Sequence, residues 1–150
     1  MSNRTGQHAT RLLECPDGTD YDEESFRYFL AIEQARAARA QLPVRLLLAT
    51  LEPAPGQRVP FSKAGAQRLF SGLRLALRDT DVIGWYRQDR VAAAVLMEPA
   101  ASSHQELSAP LERRVGDDVR RLMPAHLAHM LRVRVVTRNP GTPGRKRGRP

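Results

Sequence analysis

An α+β fold is predicted by three features of this chain. A proline-bounded apolar run, Val44–Leu51 (VRLLLATL), has the length of a strand covered on both faces. A second apolar run, Val91–Met97, follows the short segment Val82–Tyr86 across a polar reversal at Arg87–Arg90, as two paired strands would. Around them, apolar residues recur at three- and four-residue spacing, the pattern of helices with one buried face. The length of 150 residues with 41% hydrophobic content suits one domain with a substantial core.

Residues 1–20 lack periodicity and hold Gly6, Pro16 and Gly18, so a flexible N-terminal arm is expected there. Asp20 with Glu23 resembles an N-cap and its third-position partner, and the acids Asp22–Glu24 suit a helix N-terminus. Phe26, Leu30, Glu33 and Ala37 mark one face, with Phe29 beside it, while Arg36 and Arg39 sit near the C-terminal end. This predicts a helix over about Glu23–Gln41, ended by Pro43. After the Val44–Leu51 strand, Glu52–Pro60 contains three prolines and a glycine and is expected to be loop. Ser62 can cap the next helix, whose Ala66, Leu69, Leu73 and Leu77 form its stripe. The hairpin strands follow, with Trp85 and Tyr86 expected to pack the sheet or cover its edge.

Glu98–Ser103 reads as loop and Ser103-x-x-Glu106 as a capping box. Leu111, Val115, Val119 and Leu122 mark another helix, which either begins near Ser108 or kinks at Pro110. Asp117 and Asp118 read as a solvated patch on it. His126 and His129 are spaced like ligands, but without a cysteine or carboxylate beside them a surface loop is the expectation. Leu131–Val136 alternates Leu131, Val133 and Val135 with Arg132 and Arg134, a half-exposed strand. After the leading helix, the order is β-α-β-β-α-β. That is the ferredoxin-like split unit, in which helices cover one face of an antiparallel sheet.

The charge is unevenly spread. Of the net +8, five positive charges (Arg138, Arg145, Lys146, Arg147 and Arg149) fall in residues 138–150, which hold no acid. The other 19 basic residues stand against 16 acidic ones, so a mildly basic domain over 21–137 carries a disordered basic tail. No apolar run approaches the ~20 residues of a membrane helix, and the opening MSNRTGQHATRLLE is too polar for a secretory signal, so no membrane insertion is expected. A single cysteine, Cys15, excludes an internal disulfide and suits a reducing cytoplasm. Flanked by proline, aspartate and glycine, it reads as a bystander thiol.

In Phe26…Leu30…Glu33-x-x-Arg36 followed by VRLLLATLE, and above all in LRDTDVIGWYRQDRVAAAVLM, the chain resembles the diguanylate cyclase family, the GGDEF domains. The second stretch is similar to that family's L-R-x-x-D-x-x-x-R-x-G-G-D-E-F followed by an apolar strand. The resemblance spans about Phe26–Val136. It implies a nucleotide-cyclase-like core truncated at its C-terminus, without the family's final helix and strand. It also implies where catalysis would sit. Arg87-Gln88-Asp89-Arg90-Val91 occupies the signature's place: side chains replace the two glycines, and Arg90 stands where a carboxylate binds magnesium. The first strand's metal-binding aspartate falls at Thr50, with Glu52 the only acid nearby. Two-metal phosphoryl transfer needs carboxylates from both strands. The expectation is a non-enzyme with no catalytic residues, no metal and no cofactor.

The resemblance further implies a regulatory ligand. Arg78-Asp79-Thr80-Asp81 is an R-x-x-D, placed where the family's inhibitory site holds cyclic di-GMP, and Arg74 lies one turn earlier. An arginine fork suits phosphate oxygens and a guanine edge, and an aspartate accepts from guanine N–H groups. The competing reading is structural: Asp81 ends the helix, and Arg78 is solvated. A separate motif lies in the tail, where Lys146-Arg147-Gly148-Arg149-Pro150 resembles an AT-hook for the minor groove of A·T-rich DNA. Three roles thus stand open: a non-catalytic GGDEF-like regulatory or scaffold domain, a DNA-associated protein using its tail, and an interaction domain. The last would dock a partner protein, or a second copy, at an exposed sheet edge.

Overall fold

The computed structural model describes residues 20–97 and 107–139. In chain order the elements are β1 (Asp20–Tyr21), α1 (Glu23–Arg39), β2 (Val44–Ala54), β3 (Gln57–Val59), α2 (Lys63–Ala76), β4 (Val82–Arg87), β5 (Val91–Leu96), α3 (Ser108–Leu122), α4 (Ala125–Ala128) and β6 (Leu131–Arg138). Among the described residues they make a mixed α+β fold, one six-stranded mixed sheet with four helices. None of these helices is long and apolar enough to cross a membrane.

The longest strand, β2, is central because it is apolar on both faces. One edge pairs antiparallel with β5, from Arg45↔Leu96 to Ala49↔Ala92, and the other with β6, from Val44↔Arg138 to Leu51↔Leu131. β5 pairs antiparallel with β4, and β1 adds a parallel pairing beyond it. Because side chains alternate along each strand, the sheet has two distinct cores. One face, with Leu47, Ala49, Leu51, Trp85, Ala92 and Ala94, is covered by Leu69, Phe70 and Leu73 of α2 and Leu111, Val115 and Val119 of α3. The other, with Leu46, Ala93 and Val95, receives Phe26 and Leu30 of α1. Burying each of these large side chains is worth about 1.5–3 kcal/mol.

Two glycines set the packing distances. A Cβ on Gly72 of α2 would lie 2.9 Å from the Val119 Cα of α3, so the two helices approach backbone to backbone there. A Cβ on Gly84 would lie 2.7 Å from the Tyr21 carbonyl oxygen, so its absence admits β1 to the sheet edge.

Several expectations are corrected by this arrangement. Asp22, not Asp20, caps α1, its Oδ1 accepting from the Ser25 amide at 2.9 Å, while Asp20 belongs to β1. α1 stops at Arg39, and Gln41 (φ 59°) turns the chain in the left-handed region before Pro43. The Glu52–Pro60 stretch is not a loop: β2 runs on to Ala54 and returns as β3. Pro53 is tolerated because it falls where the register shifts between Leu51 and Ala54, and Gly56 (φ 79°) makes the turn. Leu51 pairs with Leu131 on one edge and Val59 on the other, so β3 takes the edge that β5 holds farther along. His126 lies in the short helix α4, with His129 at its end, rather than in a loop. β6 reaches Arg138, one residue into the expected tail.

Other expectations hold. Ser62 caps α2, accepting from the Gly65 amide at 3.0 Å, and α3 begins at Ser108. Trp85 packs the core between Phe61 and Phe70, with ring centroids at 5.7 and 5.0 Å. Asp117 and Asp118 pair with Arg120 and Arg121 on their own helix. Residues 1–19 of the expected arm 1–20, the expected loop Glu98–Ser103, the capping box Ser103–Glu106 and the tail motif Lys146, Arg147, Gly148, Arg149 and Pro150 lie outside the described residues.

Candidate functional site

The β4–β5 turn is fixed from two sides. Glu23 and Gln88 bond reciprocally: the Gln88 amide donates to Glu23 Oε1 at 2.7 Å, and the Glu23 amide donates to Gln88 Oε1 at 3.1 Å. Arg27, one turn further along α1, donates from Nε to the Tyr86 carbonyl at 3.0 Å and lies 4.5 Å above the Tyr86 ring. On the other side, the Phe61 amide donates to the Asp89 carbonyl at 2.8 Å, with Asp89 in the left-handed region (φ 65°). Aspartate tolerates that conformation better than most residues. Gln88 thus has a use for its side chain, which closes the start of α1 over the turn.

Beside this turn, on the α1 face of the sheet, lies a cleft of about 240 Å³ lined by Leu48, Thr50, Glu52, Arg58, Tyr86, Arg87, Val91, Arg132 and Arg134. Register assembles it. β6 sets Arg134 across from Leu48 and Arg132 across from Thr50, so the polar half of its alternation faces the cleft. The β2–β3 hairpin brings Glu52 and Arg58, and the end of β4 brings Arg87. Four guanidiniums therefore surround one carboxylate. That carboxylate is engaged already: Glu52 Oε2 accepts from Thr50 Oγ1 at 3.2 Å and lies 3.9 Å from Arg58 Nε. Arg132 donates from Nη1 to the carbonyls of His129 and Leu131, at 3.3 and 3.1 Å. The side chains of Arg87 and Arg134 make no hydrogen bond or ion pair with the described residues. A concave surface with this excess of one sign attracts anions.

The cleft includes Thr50, the position at which the resemblance implies a metal-binding aspartate, and Glu52, the acid nearest it in sequence. Among the described residues no three of His, Cys, Asp or Glu come together. One carboxylate ringed by guanidiniums does not fit a two-cation centre.

The R-x-x-D residues are placed elsewhere, after α2. Asp81 Oδ2 accepts from the Arg78 amide at 3.0 Å, and Oδ1 accepts from the Met97 amide at 2.8 Å. The Asp81 amide in turn donates to the Arg78 carbonyl at 3.0 Å. Arg78 and Asp81 are therefore joined through main chain, and Asp81 ties the loop after α2 to the end of β5. The Arg78 side chain is exposed. Arg74 is half-buried, its Nη1 3.6 Å from Asp20 Oδ1 and its Nη2 3.4 Å from Ser71 Oγ, which links α2 to β1.

The alternation of Leu131–Val136 puts Arg132 and Arg134 on the exposed side of a strand without giving them a role, and the proline content of Glu52–Pro60 puts Arg58 in a loop. The usable signal was arginine at two successive outward positions of one strand. No protein-family model matches the chain, and no curated protein matches it. The cyclase resemblance rests on the chain's own residues.

Proposed function

We propose that this chain is a catalytically inactive GGDEF-like domain, a regulatory or scaffold module of the bacterial cytoplasm. The observation that carries the reading is the lining of the cleft at Thr50 and Glu52, which holds a single carboxylate among four arginines. Support for a ferredoxin-like core comes from the strand order β6-β2-β5-β4, antiparallel throughout, with α2 and α3 in the two connections. The clamp between Glu23 and Gln88 supports the loss of catalysis, because it fills the approach that glycines would leave open. Cyclic di-GMP on Arg74, Arg78 and Asp81 is the regulatory ligand the resemblance implies. Its support is the position of the motif and the exposure of Arg78, and it requires Asp81 to serve a ligand while holding two amides. Purified protein incubated with GTP and magnesium is expected to yield no cyclic di-GMP by chromatography. Synthesis that scales with protein concentration would overturn the proposal.

A further inference from the structure

We infer that the arginine cleft is a landing surface for single-stranded nucleic acid, gripped through its phosphates. The inference does not rest on the cyclase resemblance. Arg58, Arg87, Arg132 and Arg134 come from three different strands, and the pairing register brings them to one cleft. Concentrating like charge costs stability, and the fold itself makes no use of Arg87 or Arg134, which bond to none of the described residues. Planar guanidinium forks suit phosphate oxygens, to which they can bond through two N–H groups at once.

Size argues for a strand passing over the cleft rather than a small ligand filling it. At about 240 Å³ it falls below the roughly 300–1,000 Å³ of sites that enclose small molecules. The positive charge also continues into the β4–β5 turn, where Arg90 is exposed. Alternate residues on a strand, such as Arg132 and Arg134, stand about 6.6–6.8 Å apart, close to the step between phosphates of an extended nucleic acid strand. Four guanidiniums against one carboxylate favour a polyanion over a single phosphate. Tyr86 is the one aromatic residue in the cleft, so little base preference is expected.

The test uses the full chain, a fluorescent single-stranded oligothymidine and anisotropy across a salt series. Arg87→Ala/Arg134→Ala is expected to weaken binding roughly tenfold at low salt and to flatten log K against log salt by about 1.4, two lost contacts at about 0.7 each. Arg113→Ala/Arg121→Ala removes the same charge from the exposed side of α3 and is expected to change affinity by less than about twofold. Arg87→Lys/Arg134→Lys keeps the charge but not the fork, and is expected to keep the salt slope while losing part of the affinity, which separates lost contacts from lost fold. Equal losses in the two alanine doubles would reduce the effect to net charge and overturn the inference. So would tighter binding of a duplex of the same length, or displacement of the oligonucleotide by inorganic phosphate at equal phosphate concentration.

Discussion

Trp85→Ala is expected to destabilise the protein by about 3–5 kcal/mol, the range for deleting a large aromatic side chain from a packed core. Trp85 is buried, on the sheet face that α2 and α3 cover, and it touches Phe61 at the entry to α2 and Phe70 within it. Its removal leaves a cavity that Ala92, across from it on β5, cannot fill. Urea unfolding followed by far-UV circular dichroism, which does not depend on the lost indole, should show a lower midpoint with an unchanged slope. A loss below about 1 kcal/mol would mean that the site collapses around the deletion, against the packing described.

Asp81→Ala is expected to cost about 2–3 kcal/mol without any ligand present, since two main-chain amides lose a charged acceptor. The Met97 amide suffers most, because its bond ties the end of β5 to the start of the β4 segment. Arg78→Ala, at an exposed side chain, should change stability by no more than about 0.5 kcal/mol. That contrast makes Arg78→Ala the right variant for calorimetry with cyclic di-GMP. Saturable heat in the parent that vanishes in the variant would support the R-x-x-D reading, and a flat titration of the parent would remove it. A neutral Asp81→Ala would instead count against the structural role.

Much of the α+β architecture was legible because hydrophobic periodicity reports burial directly. Val44–Leu51 reads as central because both of its faces are covered, and the hairpin reads from its polar reversal. The helical stripes of α2 and α3 fall where Leu69, Leu73, Leu111, Val115 and Val119 put them. What stayed hidden depends on distant partners. The strand β1 exists because Gly84 leaves space beside Tyr21, and no local pattern in two residues announces that. Proline content argued for a loop after β2, yet Pro53 sits at a register shift where a ladder bond is not required. The cleft was illegible for the same reason. Arg58, Arg87 and the Arg132–Arg134 pair lie far apart in the chain, and only antiparallel pairing brings them together. Arg74 and Asp81, candidate ligand contacts by their motif, also have structural partners in Asp20 and in the amides of Arg78 and Met97, which no local pattern shows.

Whether the cleft prefers cations or anions is the point on which the proposed loss of catalysis turns. Manganese added to 15N-labelled protein measures it residue by residue, because a bound ion broadens nearby amide signals. Thr50, Glu52 and Arg87 are expected to broaden no more than the surface residues Asp117 and Asp118. Selective broadening at Thr50 and Glu52 at low manganese would reveal a working metal site and contradict the account.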